Sequence, residues 1–175
     1  MKHTKVARTY AKAFFDIAQE SKKEKKTRSD LEIFSKALEI NQNLRSIYYG
    51  SVFSFSEVKE IIEDIVMKYS FQKETKNFLL LLYEKKRGRI FLEMAKEFEK
   101  ILDQVEGIER PVITTATSLT ESFKKEVTES LEKTLKKKVI PTFVINPTIL
   151  GGMITKVGSR VLDGSLKTQL ELMFK

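Results

Sequence analysis

Residues 1–106 carry apolar side chains at the three-four spacing of amphipathic helices. Ser54 and Glu57 have the spacing of a capping box and mark one of the helix starts. A run of lysines between Lys22 and Lys26 predicts a basic hinge after the first helix. The pattern predicts helical segments over about 4–21, 29–40, 44–48, 54–69, 73–86 and 89–106. Since each has an apolar side, we expect these segments to form a six-helix bundle.

Two of those segments carry specific expectations about burial. Each presents a stripe of apolar residues that should face the bundle core. In the segment 54–69 the stripe consists of Ile61, Ile62, Ile65, Val66 and Tyr69. In the segment 89–106 it consists of Leu92, Ala95, Phe98, Ile101, Leu102 and Val105.

Residues 107–175 change to the shorter period of β-strands. Strands are predicted over 108–116, 139–145, 153–157 and 160–162. Pro141 lacks a backbone N–H, which favours an edge position for its strand. The pair Gly158-Ser159 suits a two-residue type II′ hairpin turn, because glycine tolerates positive φ.

Two helices are predicted among these strands. The first follows a capping box formed by Ser118 and Glu121. Its apolar side chains are Phe123, Val127, Leu131 and Leu135. The second begins near Ser165, and its apolar side chains are Leu166, Leu170, Met173 and Phe174.

Helix-breaking residues divide the chain. All three prolines and five of the seven glycines lie beyond residue 106, and the first part has only Gly50 and Gly88. This shift predicts a boundary near Gly107. We therefore expect a mainly α protein, with a helical bundle in residues 1–106 and a small mixed α/β domain in residues 107–175.

Composition narrows the chemistry that the chain can perform. Among its 175 residues are no cysteine and one histidine, His3. Disulfides, thiolate nucleophiles, sulfur-ligated metals and histidine clusters are therefore excluded. The net charge is +8, but acidic and basic residues are interleaved and each part carries +4. Because nucleic-acid binders usually concentrate positive charge on one face, we expect the lysine clusters at 22–26 and 136–138 to be solvated loops.

Motifs for catalysis do not occur in the sequence. Gly151-Gly152 followed by Gly158 matches neither a dinucleotide fingerprint nor a P-loop, and Glu63 and Asp64 are adjacent on a helix and face different directions. We expect no catalytic residue, cofactor or bound metal. No apolar run approaches the roughly 18 residues of a membrane span, and the start resembles neither a signal peptide nor a transit segment. We expect a cytoplasmic protein without direct membrane insertion.

Two helices carry more apolar surface than a bundle needs. In residues 6–18 the apolar positions cover an arc of roughly 200°, about twice the usual stripe. In residues 78–83 six successive apolar residues point in every direction around the helix. Either the second helix is central and covered by its neighbours, or the two helices form a groove for an amphipathic helix of another protein. Ala7, Ala11 and Ala18 would allow close approach in such a groove.

Several segments together resemble a known family. They are residues 6–18, 78–87 and 112–119, and most specifically Asn146-Pro147-Thr148-Ile149-Leu150-Gly151-Gly152 through Gly158 to Val161-Leu162-Asp163-Gly164-Ser165. In order, spacing and length the chain is similar to the delta subunit of bacterial F-type ATP synthase, whose mitochondrial counterpart is the oligomycin sensitivity-conferring protein. Two positions depart from the family pattern. Asn146 replaces a usual aspartate, and Gly88 replaces a commonly apolar residue.

The resemblance implies a non-catalytic subunit of the peripheral stalk on the cytoplasmic side of the bacterial inner membrane. Such a subunit links the alpha-beta head to the b subunits and resists rotor torque. The groove between the first and fifth helices would receive an alpha-subunit N-terminal segment, with Tyr10, Ala13, Phe14, Leu79, Leu81 and Leu82 at the matching positions. The C-terminal domain would meet the b subunits, and its motif would be mainly structural, with turns or caps at Gly151, Gly152, Gly158, Asp163, Gly164 and Ser165.

A second hypothesis from another class is a helical RNA-binding or transcription adaptor that uses the lysines and the positive charge. The two hypotheses differ in their response to salt. Apolar capture of a helix should change little between low and moderate salt, whereas phosphate binding should weaken steeply. The interleaved acidic residues favour the first hypothesis, which involves no nucleic acid.

Overall fold

The computed structural model describes residues 2–50, 53–166 and 168. The chain divides into two compact units, residues 1–102 and residues 103–175. This division lies within a helix, four residues before the boundary expected from the glycines and prolines. The shift in composition marks the position where glycines and prolines become frequent. The compact unit ends earlier, at Leu102, which is the last side chain buried in its core.

Unit 1 contains all six predicted helical segments. The helices are α1 (Lys2–Glu20), α2 (Glu24–Ile40), α3 (Gln42–Tyr49), α4 (Phe55–Tyr69), α5 (Lys73–Glu84) and α6 (Phe91–Glu106), which continues into unit 2. A short 3-10 turn, Gly88–Ile90, precedes α6. Its Gly88 is required by packing, because a Cβ there would lie 2.2 Å from the backbone oxygen of Tyr48.

The predicted basic hinge after α1 is wrong. The chain turns within three residues, because Lys22 adopts φ 54° and the N–H groups of Lys22 and Lys23 donate to the carbonyls of Gln19 and Ala18. These two bonds form a Schellman motif that ends α1 and lets α2 begin at Glu24. Lys25 and Lys26 therefore belong to the first turn of α2.

Aromatic and small residues fill the core of unit 1. Phe34 contacts both Tyr48 and Phe91 edge to face, with centroid separations of 5.1 and 5.0 Å. Phe14 and Phe98 lie 5.7 Å apart in the same core. The fully or nearly buried residues include Ala7, Ala11, Phe14, Phe15, Ala18, Leu31, Phe34, Leu38, Tyr48, Val58, Ile62, Leu79, Leu82, Phe91, Met94, Phe98 and Leu102.

The capping box of α4 is confirmed, since Ser54 and Glu57 exchange both hydrogen bonds. The predicted stripes are correct in their centres and wrong at their ends. Tyr69 ends α4 and Val105 lies in the last turn of α6, and both are exposed because they extend past the packed core. Val58, which was not in the predicted stripe, is buried in α4 instead.

Unit 2 is a small α/β structure in which the prolines interrupt two predicted strands. The elements are β1 (Ile108–Glu109), β2 (Val112–Thr115), α7 (Glu121–Leu135), β3 (Lys138–Val139), β4 (Thr142–Ile145), a 3-10 turn (Pro147–Ile149), β5 (Met153–Val157) and β6 (Arg160–Asp163). The main sheet has the order β4-β2-β5-β6. In it β2 and β4 are parallel and joined by the α7 crossover, and the other pairs are antiparallel. The edge position of β4 after Pro141 is confirmed.

The start of α7 differs from its prediction. Thr120, and not Ser118, is the N-cap, and its hydroxyl accepts the N–H of Phe123. No residue of α7 is fully buried, and Phe123 is 41% exposed. For the last predicted helix the structure describes helical conformation at Leu166 and Thr168. Leu170, Met173 and Phe174 lie outside the described residues.

In the described part of the chain, no helix is both long enough and apolar enough to cross a bilayer.

Candidate functional site

Helices α1 and α5 lie against each other in unit 1. The ring of Phe78 stacks on Phe14 at a centroid distance of 4.0 Å and meets the edge of Tyr10 at 6.3 Å. The hydroxyl of Tyr10, in the middle of α1, lies 2.6 Å from Arg87, just after α5. Lys23, just after α1, pairs with Glu74 in the first turn of α5 at 3.6 Å. The two helices are therefore antiparallel.

The six residues proposed to line a groove separate into two layers. Phe14, Leu79 and Leu82 are buried in the core, with at most 1% of their surface exposed. Tyr10 is half-buried, and Ala13 and Leu81 are exposed, Leu81 to 39%. Only these last three residues can contact a partner directly, and the buried three support them from below.

Further apolar residues complete the exposed layer. Val6, Tyr10, Ala13 and Ile17 follow one another at spacings of four, three and four, which places them on one side of α1. Ile17 is 47% exposed and Val6 is half-buried. This spacing could have identified Val6 and Ile17 from the sequence. We call the surface of Val6, Tyr10, Ala13, Ile17 and Leu81, together with the buried Phe78 that contacts Tyr10, the α1–α5 face.

Three other small residues of α1 do not belong to this face. Ala7, Ala11 and Ala18 are at most 1% exposed and pack inside unit 1. The interpretation that they admit a visiting helix is therefore wrong. Their short side chains instead let the other elements of the bundle approach α1 closely.

Two buried polar groups hold α5 in place. The carboxylate of Asp30 on α2 accepts hydrogen bonds from the N–H of Gln72 at 2.9 Å and from the hydroxyl of Thr75 at 3.1 Å. It thereby caps α5, whose own N-cap residue Gln72 makes no side-chain cap. Tyr48 donates its hydroxyl to the carbonyl of Leu79 at 3.0 Å. Burial, with a smaller contribution from Tyr49, raises the pKa of Tyr48 well above its ordinary value.

The two ends of the α1–α5 face differ in charge. At one end Arg87 stands over the Tyr10 ring, 5.2 Å from its centroid. At the other end Glu74 is paired with Lys23. A hydrogen bond from its own backbone N–H lowers the pKa of Glu74; partial desolvation acts in the opposite direction, and the charge of Lys23 lowers it further. No pattern in the sequence indicates a role for Arg87 at this face, because its position there depends on contacts with the distant Tyr10.

In unit 2 the glycine motif forms closely packed turns. Gly152 adopts φ +73°, and a Cβ there would lie 2.2 Å from the carbonyl oxygen of Gly164. The N–H of Gly164 donates to Met153, and the N–H of Leu166 donates to Gly151. Gly158 adopts φ +58° between β5 and β6, as a type II′ turn requires. A side chain at Gly152 would therefore separate segments that these bonds hold together.

Asp163 and Ser165 organise the start of the last helix. Asp163 accepts the backbone N–H of Ser165 at 2.9 Å and the hydroxyl of Thr168 at 2.8 Å. Ser165, which is 1% exposed, accepts the N–H of Thr168 at 3.3 Å. The pKa of Asp163 is lowered mainly by the backbone hydrogen bond from Ser165, and then by the two hydroxyl groups. Asn146 makes a similar local bond, accepting the N–H of Thr148 at the preceding 3-10 turn.

One face of the main sheet carries exposed apolar side chains among polar ones such as Thr114 and Lys156. Lys124 of α7 stands 5.7 Å from the ring centroid of Phe143, so α7 covers the face that carries Phe143. Strand alternation puts Val144 on the opposite face, and the strand register adds Ile154, Val112 and Val161 to it. Val112, Val144 and Val161 are between 38 and 56% exposed. We call these four residues the open sheet face.

Comparisons with known proteins agree over almost the whole chain. Residues 6–175 match the family model described as ATP synthase delta (OSCP) subunit. The chain is similar to ATP synthase subunit delta of Geotalea uraniireducens, with 33% identity covering 94% of this chain and 92% of the relative. It is also similar to ATP synthase subunit delta of Solidesulfovibrio magneticus, with 34% identity covering 96% and 93%. A chain in the cryo-EM structure of the Toxoplasma gondii mitochondrial ATP synthase hexamer has the same fold, with TM-score 0.79, 21% identity and coverage of 96% and 94%.

Proposed function

This chain belongs to the ATP synthase delta (OSCP) subunit family, and from that premise we propose that it joins the alpha-beta head of a bacterial synthase to the b subunits. Members of this family are non-catalytic components of the peripheral stalk, in a membrane-associated complex. We place this subunit on the cytoplasmic side of the inner membrane. There it would keep the head from turning with the rotor, so its chemistry is binding.

Unit 1 is the proposed head-binding part. The α1–α5 face would receive an N-terminal segment of an alpha subunit as an amphipathic helix. The observation that carries this proposal is the exposure of Ala13, Ile17 and Leu81, with the half-buried Tyr10, along two antiparallel helices above a layer of fully buried side chains. A binding surface supported by a tightly packed core suits a connection that is repeatedly placed under rotational stress.

Apolar burial would provide most of the affinity. Each large apolar side chain that is fully removed from water contributes roughly 1.5 to 3 kcal/mol before the cost of association. Ile17 and Leu81 still expose 47% and 39% of their surface, so each has a substantial part of this contribution left to gain. Binding should therefore change little between low and moderate salt.

Aspartate substitutions on the face test this proposal. We expect Leu81→Asp and Ala13→Asp to weaken binding of an alpha N-terminal peptide at least tenfold, because each buries a carboxylate against apolar groups. Isothermal titration calorimetry on the full chain measures the affinity, and circular dichroism checks that the bundle is folded.

Met67→Asp is the matched control. Met67 is an exposed apolar residue of the same unit, on α4, and its replacement should leave the affinity unchanged. Unchanged affinity in Leu81→Asp and Ala13→Asp would remove these residues from the binding surface. Equal losses in all three variants would point to a general effect of charge.

Unit 2 is the proposed stalk-binding part. The open sheet face presents β-branched apolar side chains that α7 does not cover, and it would bind the C-terminal end of a b subunit. We expect Val144→Asp with Val161→Asp to reduce capture of a b C-terminal segment by the full chain at least tenfold. Phe123→Asp, on α7, is the control and should retain capture. Full capture by the double variant would exclude the open sheet face.

The assembled complex offers the most direct test of the whole proposal. Affinity purification of this chain from its native membrane in mild detergent should recover alpha, beta and b subunits together. Recovery of the chain without any of them would contradict the joining role.

A further inference from the structure

Arg87 is held in a defined position at one end of the α1–α5 face. Its Nη1 donates to the Tyr10 hydroxyl at 2.6 Å, and its guanidinium carbon lies 5.2 Å from the centre of the same ring. Both contacts are made to a residue of the proposed binding surface. The side chain is therefore oriented beside that surface before any partner arrives.

The backbone at Arg87 is fixed as well. Lys86 adopts φ 56°, its N–H donates to the carbonyl of Tyr83, and the N–H of Arg87 donates to the carbonyl of Leu82. This is a Schellman motif, which ends α5 and places Arg87 directly after it. A side chain that is fixed at both its backbone and its tip loses little entropy when it binds a further group.

The guanidinium keeps donors available for another group. In the described part of the chain, the bond to Tyr10 is its only hydrogen bond, and no carboxylate lies within ion-pair distance. Arginine has five N–H donors in a planar fork that fits a carboxylate. The adjacent Lys85, Lys86 and Arg89 are exposed and make this end of the face basic. Within the described residues, Lys85 alone of these three forms an ion pair, with Glu84 at 3.5 Å.

We propose that Arg87 binds a carboxylate of the docked segment and thereby sets the direction in which the segment lies on the α1–α5 face. Apolar contacts alone can accept a helix in either direction, because a stripe of leucine-like side chains looks similar from both ends. A fixed cation at one end distinguishes the two directions. At the opposite end the cation of Lys23 is already paired with Glu74, so an incoming carboxylate there would meet an acidic group as well as a basic one. This inference rests on the proposed function of unit 1.

A double-mutant cycle tests it. The probe is the alpha N-terminal peptide together with variants in which each acidic residue is changed singly to its amide, measured by calorimetry against the full chain and Arg87→Gln. We expect Arg87→Gln to weaken binding at least about threefold, and one acidic position of the peptide to account for that loss. The effect should diminish with added salt, while the remaining affinity stays nearly constant.

Arg89→Gln is the matched control. Arg89 carries the same charge two residues away. In the described part of the chain it makes neither a hydrogen bond nor a cation–π contact with Tyr10, so it should show no coupling to any peptide position. Arg87→Glu with a lysine at the coupled peptide position should restore affinity. Absence of coupling at every acidic position, or equal coupling for Arg89, would overturn the inference while leaving the binding surface intact. Failure of the unmodified peptide to bind would instead contradict the proposed function.

Discussion

The two units of this chain bury their apolar side chains to different extents. In unit 1 every helix contributes to one core, and residues such as Phe34, Leu79 and Phe98 are completely inaccessible to water. Among the described residues of unit 2 the buried apolar side chains are Pro111, Ile113, Val139 and Ile149, and α7 buries none completely. Unit 1 is therefore stabilised chiefly by packing.

The stability of unit 2 depends more on close backbone contacts and on local polar hydrogen bonds. Its tightest features are the contact of Gly152 with Gly164 and the bonds that Asp163 and Ser165 make at the last helix. This difference suits the proposed joining role, in which unit 1 would be a rigid binding surface and unit 2 would offer a sheet face for a partner to cover.

Truncating one phenylalanine in each unit compares their cores directly. Phe34→Ala removes a completely buried ring that packs on Tyr48 and Phe91, and should cost about 3 to 5 kcal/mol. Phe123→Ala removes a ring that is 41% exposed and should cost about 1 kcal/mol. Hydrogen exchange measured by mass spectrometry on segments of each unit reports the loss of unfolding free energy in both variants. Equal losses would show that unit 2 is packed as tightly as unit 1.

Removing the carboxylate of Asp30 tests a polar group inside the tightly packed unit. Asp30→Ala leaves the N–H of Gln72 and the hydroxyl of Thr75 without their acceptor and should cost about 1.5 to 3 kcal/mol. Amide exchange should increase first at the start of α5. Asp30→Asn keeps an acceptor oxygen and should lose less. Similar exchange in both variants would show that the capping bonds are not the source of the loss.

The hydroxyl of Tyr48 should contribute less to the free energy of unfolding than the carboxylate of Asp30. Tyr48→Phe keeps the ring and removes its bond to Leu79, at a cost of about 1 kcal/mol near pH 7. The folded pKa of Tyr48 is raised by burial, so the unfolded chain loses its proton first, at about pH 10. Unfolding free energy should therefore fall as the pH rises above about 10, and this part of the decline should be absent in Tyr48→Phe. Denaturant unfolding at pH 7 and pH 10.5 measures both.

The smallest expected effect concerns unit 2 at low pH. The pKa of Asp163 is lowered in the folded chain, chiefly by the N–H of Ser165. Its contribution to stability is therefore present above its ordinary value of about 3.9 and is lost as the pH falls through the lower folded value. We expect the protection from exchange near Ser165, corrected for the intrinsic pH dependence of amide exchange, to fall as the pH is lowered below about 4 in the native chain, with a smaller change in Asp163→Asn. The same loss of protection in the native chain and in Asp163→Asn would show that other groups cause it.

Periodicity predicted the helices well, because each needs an apolar side along its whole length. The capping box at Ser54 and Glu57 was readable because it depends on two residues three apart. Predictions failed where local hydrogen bonds decided the outcome. Lys22 ends α1 in a left-handed conformation although it is not a glycine, and Thr120, instead of the predicted Ser118, caps α7.

The candidate site was predictable in part. The excess apolar surface of α1 and α5 was visible in the sequence, and these two helices do lie together. Which side of each helix faces outward was not visible. Phe14, Leu79 and Leu82 are apolar like Ala13 and Leu81. Only the packing of unit 1 decides that the first three are buried while Tyr10, Ala13 and Leu81 remain accessible.

By itself the sequence determined the helical class of the first part, the change of period in the second, and the surplus of apolar positions on two helices. These are local properties, since each depends on the spacing of side chains along one element. The tertiary structure alone decided which apolar residues remain exposed and that Arg87 rests on Tyr10. Burial and ion pairing depend on groups brought together from distant positions, so no pattern within a single element can specify them.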